Sequence, residues 1–454
     1  MSASESESES KSSSRLLKSY VSRRQVIAGI AGGVAATSLL PGILQARNAP
    51  ALIQGGTRLT YWGGLIFSDA ANSMLTDTID AWGKTNNVET DVVMINQNET
   101  NQKVSAAVES GTMPDALDMG LDLLLLLSST GQLSALDDLY AKIGTAQGGW
   151  HESIDTSLAP EKFGGSRNGV PFGASGNQLF GRKDVLDAVG ITTMPKTWKE
   201  LSDSAAKAQQ PGVYGMGFAL SNVGDGNLQV SVLQSYGGRI ADDAGKKCTI
   251  ASDATKEYMA WVKAAWDAKL FPPGATTWDG AGDNTSFLSG QAIFIANPGS
   301  VAIKAQEDDP DLFDSTAYSA LPAGPVMQVS SVGPNVRSIP KSTKDPATAQ
   351  ALIEYLSQPE FLKEYYKVAI YGPVLKGQDS FEAFGDSVHS GLKDLVLNGT
   401  APGAPDVNNT AYADFNSNFL VPKMIQRVVV DGLSIDDALA EAQKQGDAIY
   451  AKYA

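Results

Sequence analysis

Residues 92–119 read VVMINQNETNQKVSAAVESGTMPDALDM, and they predict a strand, a helix and a second strand in direct succession. The first four residues are a continuous apolar run of the kind that is buried in a parallel sheet. Val104 and Val108 are spaced for one face of a helix that ends at Gly111. The last six residues predict the next strand. Because strand and helix alternate, this stretch indicates an α/β layer with a parallel sheet.

The same alternation continues on both sides of this stretch. Residues 58–62 predict an earlier strand, and Ser68 is placed to cap the helix that follows it. Residues 121–127 predict a buried helix on the other side. Further helices are predicted downstream, with N-terminal caps at Thr197, Ser252, Asp345 and Ser434. A chain of 454 residues with this pattern is long enough for two domains.

Composition limits the classes of partner. Asp plus Glu number 50 against 35 Lys plus Arg, and a net charge of -15 argues against nucleic acid and anionic membrane surfaces. Cys248 is the single cysteine, so no intrachain disulfide can form. His151 and His389 lie far apart, and no His/Cys group has zinc spacing. Nucleotide and calcium loop motifs are incomplete, so we expect no cofactor, no metal and no nucleic acid.

Residues 1–51 predict an export segment. A low-complexity n-region, which we expect to be disordered, precedes Arg23 and Arg24, and a weakly apolar segment follows at residues 26–44. Twin arginines in this setting mark the twin-arginine route, which predicts a periplasmic protein. Residues 49–51 match the A-x-A pattern and are the expected cleavage site, with Ala46 as the alternative. The alternative is a membrane anchor, for which the segment is long enough but poorly apolar.

Five stretches of the chain follow one another in an order that is informative as a whole. They are residues 108–116 (VESGTMPDA), 131–138 (GQLSALDD), 169–201 (GVPF, then LFGRKDVL and PKTWKEL), 287–294 (FLSGQAIF) and 339–356 (beginning IPKSTK). In this order they resemble the extracellular solute-binding proteins of ABC import systems, the large family with sugar-binding members. The resemblance covers nearly all of residues 55–454.

The resemblance implies an α/β fold with two lobes, each a mainly parallel sheet flanked by helices, with the ligand cleft between them. By analogy, the N-terminal lobe comprises residues 55–174 and 333–384, and the C-terminal lobe comprises residues 175–332 and 385–454. The lobes of such proteins close around a ligand by a hinge motion. The resemblance further implies a monomer that is not an enzyme, and that delivers a small solute to an inner-membrane ABC permease.

Candidate ligand contacts follow from the chemistry of carbohydrates. Hydroxyl groups need amides and carboxylates, and sugar rings need aromatic faces. Residues of these types stand at predicted strand ends, crossings and loops, where cleft ligands bind in α/β layers. They are Trp62, Asn98, Asp122, Ser175, Asn177, Gln178, Asn227, Gln229, Trp278, Asp279, Asn297, Asn335 and Tyr371. Core packing is an equal alternative for Trp62, and helix capping is an alternative for Asn98, Asn227 and Gln229.

A sugar or polyol is the solute that best fits these residue types. Two alternatives stay open from the sequence. A secreted glycoside hydrolase needs two carboxylates that face one sugar, and Asp122 and Asp279 are the pair to test. A binding protein for a peptide, polyamine or osmolyte needs a different set of partners, and a cation would favour acidic residues with an aromatic cage.

Overall fold

The computed structural model describes residues 57–454, so the predicted export segment lies outside the described residues. The strands are β1 Thr57–Leu65, β2 Val88–Asn96, β3 Ala116–Met119, β4 Val170–Gly176, β5 Gln178–Arg182, β6 Tyr214–Met216, β7 Ala292–Asn297, β8 Thr316–Ser319 and β9 Val332–Ser338. Within residues 57–454, no helix is both long and apolar enough to span a membrane.

Helices fill most of the remaining chain. They are α1 Asp69–Asn86, α2 Gln97–Ser110, α3 Leu121–Ser129, α4 Asp137–Ala146, α5 Glu152–Ser157, α6 Lys183–Ala188, α7 Trp198–Ala208, α8 Leu228–Ser235, α9 Asp253–Asp267, α10 Gly282–Leu288, α11 Ser300–Asp308, α12 Pro310–Asp314, α13 Pro346–Tyr355, α14 Pro359–Val368, α15 Ser387–Asn398, α16 Thr410–Ser417, α17 Leu420–Val429 and α18 Ile435–Tyr450. Short 3₁₀ turns occur at Pro160–Phe163, Gly224–Asn227, Pro273–Thr276, Lys376–Ser380 and Glu382–Gly385.

The strands form two sheets flanked by helices, which confirms the predicted α/β fold. The first sheet has the order β2-β1-β3-β9-β4, and the second has the order β6-β7-β5-β8. Both sheets are mixed rather than mainly parallel. In the first sheet β1 runs parallel to β2 and β3, but β9 runs antiparallel to β3 and β4. In the second sheet only β6 and β7 are parallel.

The antiparallel pairs arise where the chain passes from one sheet to the other. Strand β4 ends in the first sheet at Gly176 and β5 begins in the second at Gln178, so Asn177 joins them. After β8, the chain returns to the first sheet as β9, which therefore runs against β4. A helix does not intervene at the first crossing, so β4 and β5 do not form the βαβ unit that joins parallel strands of one sheet.

The local signals in the sequence explain the helix boundaries. Ser68 Oγ accepts a hydrogen bond from the Ala71 amide at 3.2 Å, which caps α1 as predicted. Leu75 and Ile79 lie one turn apart on its buried face. Gly111 ends the following helix with a φ of 68°, a conformation that favours glycine.

Two hydrophobic cores hold the sheets and helices together. The first core joins the first sheet to α1, α3, α4, α13 and α14, and the second joins β6 and β7 to α7, α8, α9, α17 and α18. Helix α15 contributes Val388 and Leu392 to the first core, whereas α16 contributes Tyr412 and Phe415 to the second and Ala413 to the first. Helix α16 therefore touches both cores. The division into lobes at residues 174, 332 and 384 stays a prediction.

Candidate ligand-binding site

The strands that join the two sheets bring two predicted site residues together. Asn335 on β9 donates a hydrogen bond from Nδ2 to Ser175 Oγ on β4 at 3.0 Å, and both side chains are half-buried. The neighbouring Asn177 is also half-buried. Gly176 lies between Ser175 and Asn177. A glycine fits there because the backbone of Ser331 passes close by: a Cβ at residue 176 would lie 2.5 Å from the Ser331 carbonyl oxygen. Polar groups therefore line the crossing itself.

A second group of polar side chains forms where α3 meets α16. Asp122 is the second residue of α3, and its Oδ2 accepts a hydrogen bond from Asn416 Nδ2 on α16 at 3.4 Å. Burial raises the pKa of Asp122 to about 6, while hydrogen bonds from Asn416 and Asn408 act in the opposite direction. The hydrogen bond between Asp122 and Asn416 therefore links α3, which belongs to the first core, to α16, which touches both cores.

The turn Gly224–Asn227 extends this group from the side of the second core. Asn227 Nδ2 donates to the Asn416 carbonyl oxygen at 3.3 Å. We call Asp122, Asn227, Asn408 and Asn416 the Asp122 cluster. The side-chain oxygens of its three asparagines accept no hydrogen bond from the described residues, although all three atoms are buried. A bound solute could supply the missing donors.

We call Asp225, Asp279 and Asp283 the acidic edge. Its first member, Asp225, lies two residues before Asn227 in the sequence. Burial, with a smaller contribution from the charge of Asp279, raises the pKa of Asp225 to about 6. Burial also raises the pKa of Asp283 to about 8, and the charge of Asp225 adds to that shift. Trp278 lies next to Asp279, half-buried against the second core. Its ring packs against Gly282 at the start of α10.

Three other predicted residues lie in the interior and are held by internal hydrogen bonds. Gln178 Nε2 donates to the Val388 carbonyl oxygen at 3.0 Å. Gln229 Oε1 accepts a hydrogen bond from the Tyr258 hydroxyl at 2.8 Å. Asn297 Oδ1 accepts from the Gly299 amide at 2.9 Å, at the start of α11. Each of these contacts gives the side chain a structural role.

The remaining four predictions fall on residues in four different settings. Tyr371 is buried in the first core, with its ring centroid 5.3 Å from that of Phe172. Trp62 does not end its strand, because β1 continues to Leu65; its side chain is half-buried against the first core. Asn98 lies in the first turn of α2, and its side chain lies outside the described residues. Asp279 is exposed.

The sequence did not single out Asn408, Asn416, Asp225 or Asp283. Asn416 lies inside a helix among buried apolar residues, where asparagine is uncommon. This unusual placement is the signal by which the sequence could have identified Asn416 as a site residue. Asp225 belongs to a Gly-Asp-Gly-Asn turn that resembles any solvated loop. Within residues 57–454, no group of three or more His, Cys, Asp and Glu side chains is arranged to hold a metal ion.

Comparisons with known proteins agree on the family. A profile of the family described as bacterial extracellular solute-binding protein matches residues 77–386. A Brucella abortus protein, named only as a candidate binding protein, is 23% identical over 359 residues, which cover 77% of this chain and 83% of that protein.

Solved structures agree on the fold. An ABC transporter solute-binding protein from Thermotoga lettingae, bound with α-D-tagatose, aligns with a TM-score of 0.76 at 18% identity and covers 87% of this chain and 100% of its own. A second, from Agrobacterium radiobacter in complex with ribitol, aligns with a TM-score of 0.74 at 20% identity, covering 87% and 99%. The resemblance drawn from the five stretches is confirmed, and the chain belongs to the bacterial extracellular solute-binding protein family.

Proposed function

We propose that this protein captures a sugar or polyol in the periplasm and delivers it to an inner-membrane ABC permease. No covalent bond is made or broken in this role. The observation that carries the proposal is the Asp122 cluster, in which side chains from α3, the turn Gly224–Asn227, residue 408 and α16 meet with three amide oxygens unsatisfied. A solute bound there touches groups on both sides, and it therefore favours the closed arrangement of the lobes.

The solutes of related structures support the same class of ligand. The Thermotoga and Agrobacterium proteins were solved with a ketose and a sugar alcohol respectively. In this chain, half-buried amides and hydroxyls at the crossing and a half-buried Trp278 ring offer the two kinds of contact that a polyhydroxylated solute needs. The hydrolase alternative is not favoured, because the family is one of binding proteins.

A thermal-shift screen of the purified protein tests this proposal. The panel contains sugars, sugar alcohols, oligosaccharides, amino acids and polyamines. A solute that binds only the folded state at roughly a hundred times its Kd adds about 2.7 kcal/mol to the free energy of unfolding, which raises Tm visibly. We expect a saturable rise with one class of sugar or polyol. The proposal fails if no member of the panel raises Tm.

We further propose export by the twin-arginine route and function as a monomer. The support for export is the sequence at Arg23 and Arg24, which lies outside the described residues. Replacing both arginines by lysine is expected to leave the protein in the cytoplasm, as cell fractionation would reveal. Unchanged export of that variant would contradict this route without affecting the proposed binding role.

A further inference from the structure

The Asp122 cluster has an unusual balance of donors and acceptors. Each asparagine nitrogen already has a hydrogen-bond partner: Asn416 and Asn408 donate to the carboxylate, and Asn227 donates to a backbone oxygen. The side-chain atoms of the cluster that have no partner are all acceptors, namely the three buried amide oxygens. Asn408 and Asn416 are only 9% and 8% exposed, so bulk water does not readily satisfy them. Unsatisfied buried polar atoms of this kind are rare in folded proteins.

The carboxylates of this region also lack a cation. Elsewhere in the chain, buried aspartates face arginine: Asp118 lies 3.5 Å from Arg337, and Asp406 lies 2.9 Å from Arg239. No Lys or Arg within residues 57–454 forms an ion pair with Asp122 or with the three aspartates of the acidic edge. The groups that face Asp122 are the neutral amides and the Tyr412 hydroxyl of α16.

We propose that the solute bound at the Asp122 cluster carries a protonated amino group, as an amino sugar or amino polyol does. This inference rests on the proposed function and narrows its ligand class. An ammonium group has three N–H donors and no acceptor, so it matches a site whose side-chain atoms without a partner are all acceptors. A hydroxyl donates a single hydrogen bond and turns lone pairs toward the other oxygens. The ammonium also supplies the positive charge that a buried carboxylate requires.

The acidic edge also favours a solute that carries a positive charge. Asp225 is two residues from Asn227 in one turn, and Trp278 stands beside Asp279. A half-buried tryptophan face attracts a cation as well as a sugar ring. The negative charges of Asp225 and Asp279 also raise the local concentration of cationic solutes at the site.

Matched pairs of solutes test the inference by isothermal titration calorimetry on the full-length protein at pH 7.5. One pair is sorbitol with 1-amino-1-deoxysorbitol, and the other is cellobiose with its diamino counterpart chitobiose. We expect the amino member of at least one pair to bind at least tenfold more tightly than its hydroxyl partner. N-acetylation keeps the nitrogen but removes its charge, so we expect it to abolish that advantage without any change to the protein.

Protein variants locate the effect. Asp122→Asn keeps the shape of the side chain but removes its charge, so we expect a tenfold or greater loss for the amino solute and a much smaller loss for its hydroxyl partner. Asp243→Asn, at a side chain that is 97% exposed, is the control and leaves both affinities unchanged. Equal or tighter binding of the hydroxyl member in every pair would overturn this inference and leave the proposed function intact. Binding of no solute of any class would overturn both.

Discussion

At the scale of single residues, Arg337 is a fully buried charge that is held by contacts to several neighbouring side chains. It is fully buried on β9, beside Asp118 on β3 and Tyr61 on β1. Its Nε donates to the Tyr61 hydroxyl at 3.0 Å, and its guanidinium lies 4.2 Å from the centroid of the Phe172 ring. Three neighbouring strands are therefore joined through one side chain. This network fixes the return crossing on the first sheet.

We expect Arg337→Met to lower the free energy of unfolding by about 3–5 kcal/mol, because Asp118 is left buried without its cation. Urea denaturation followed by circular dichroism measures the change. Arg58→Met is the matched control, since Arg58 pairs with Asp91 at the surface. Exposed pairs of this kind contribute less than about 1 kcal/mol. If the two variants lost similar amounts of unfolding free energy, burial of the Arg337 network would contribute nothing extra to stability.

Asp283 gives the stability of the ligand-free protein a dependence on pH. Burial first, and the charge of Asp225 second, raise its pKa from the ordinary 3.8 to about 8. Between these values the folded protein holds a proton that the unfolded chain has released. Stability therefore falls as pH rises through this window and levels off above about pH 8. The raised pKa of Asp225, to about 6, acts in the same direction at lower pH.

We expect Asp283→Asn to reduce the loss of stability between pH 6 and pH 8, because the amide stays neutral throughout. Urea denaturation at several pH values measures the slope. Asp243→Asn, at an exposed position, serves as the control and should keep the wild-type slope. If Asp283→Asn also keeps it, the Asp283 carboxyl is not protonated in the folded protein.

At the scale of elements, the turn Gly224–Asn227 positions both Asp225 and Asn227. Gly226 fits there because the chain passes very close to it: a Cβ would lie 2.1 Å from the Ser221 carbonyl oxygen. We expect Gly226→Ala to shift the turn, to cost about 1–3 kcal/mol of stability and to weaken solute binding. Calorimetry and urea denaturation measure the two effects.

Gly224 offers the control in the same turn. A Cβ at Gly224 would meet no atom within 4 Å, so we expect Gly224→Ala to change neither stability nor affinity appreciably. If Gly226→Ala retains the wild-type affinity while the protein stays folded, the turn does not position the site.

The helices and strands were largely predictable because their signals are local. The Ser68 cap, Gly111 at a helix end, and the caps at Thr197 and Ser434 all stand where the sequence predicts them. Strand direction was not predictable from residue patterns, because it depends on where the chain changes sheets. The mainly parallel sheets expected from β-α alternation are therefore mixed in the structure.

At the scale of the whole molecule, the candidate site is built from segments far apart in sequence. Asp122 and Asn227 could be singled out because they follow strands or occupy polar turns. Asn416 meets Asp122 only through tertiary packing of α16 on α3, which no local pattern reveals. In the same way, Gln229 and Tyr371 have residue types suited to a ligand, but their packing places them inside the cores.

We propose that this protein binds an intact small solute at the Asp122 cluster. Isothermal titration calorimetry of the wild type and Asn227→Ala, with the solute found by thermal shift, tests this binding and is followed by chemical analysis of the recovered solute. We predict saturable one-to-one binding, at least tenfold weaker binding in the variant, and an unchanged solute. Undiminished binding by the variant, or a solute that has been consumed, would contradict this account.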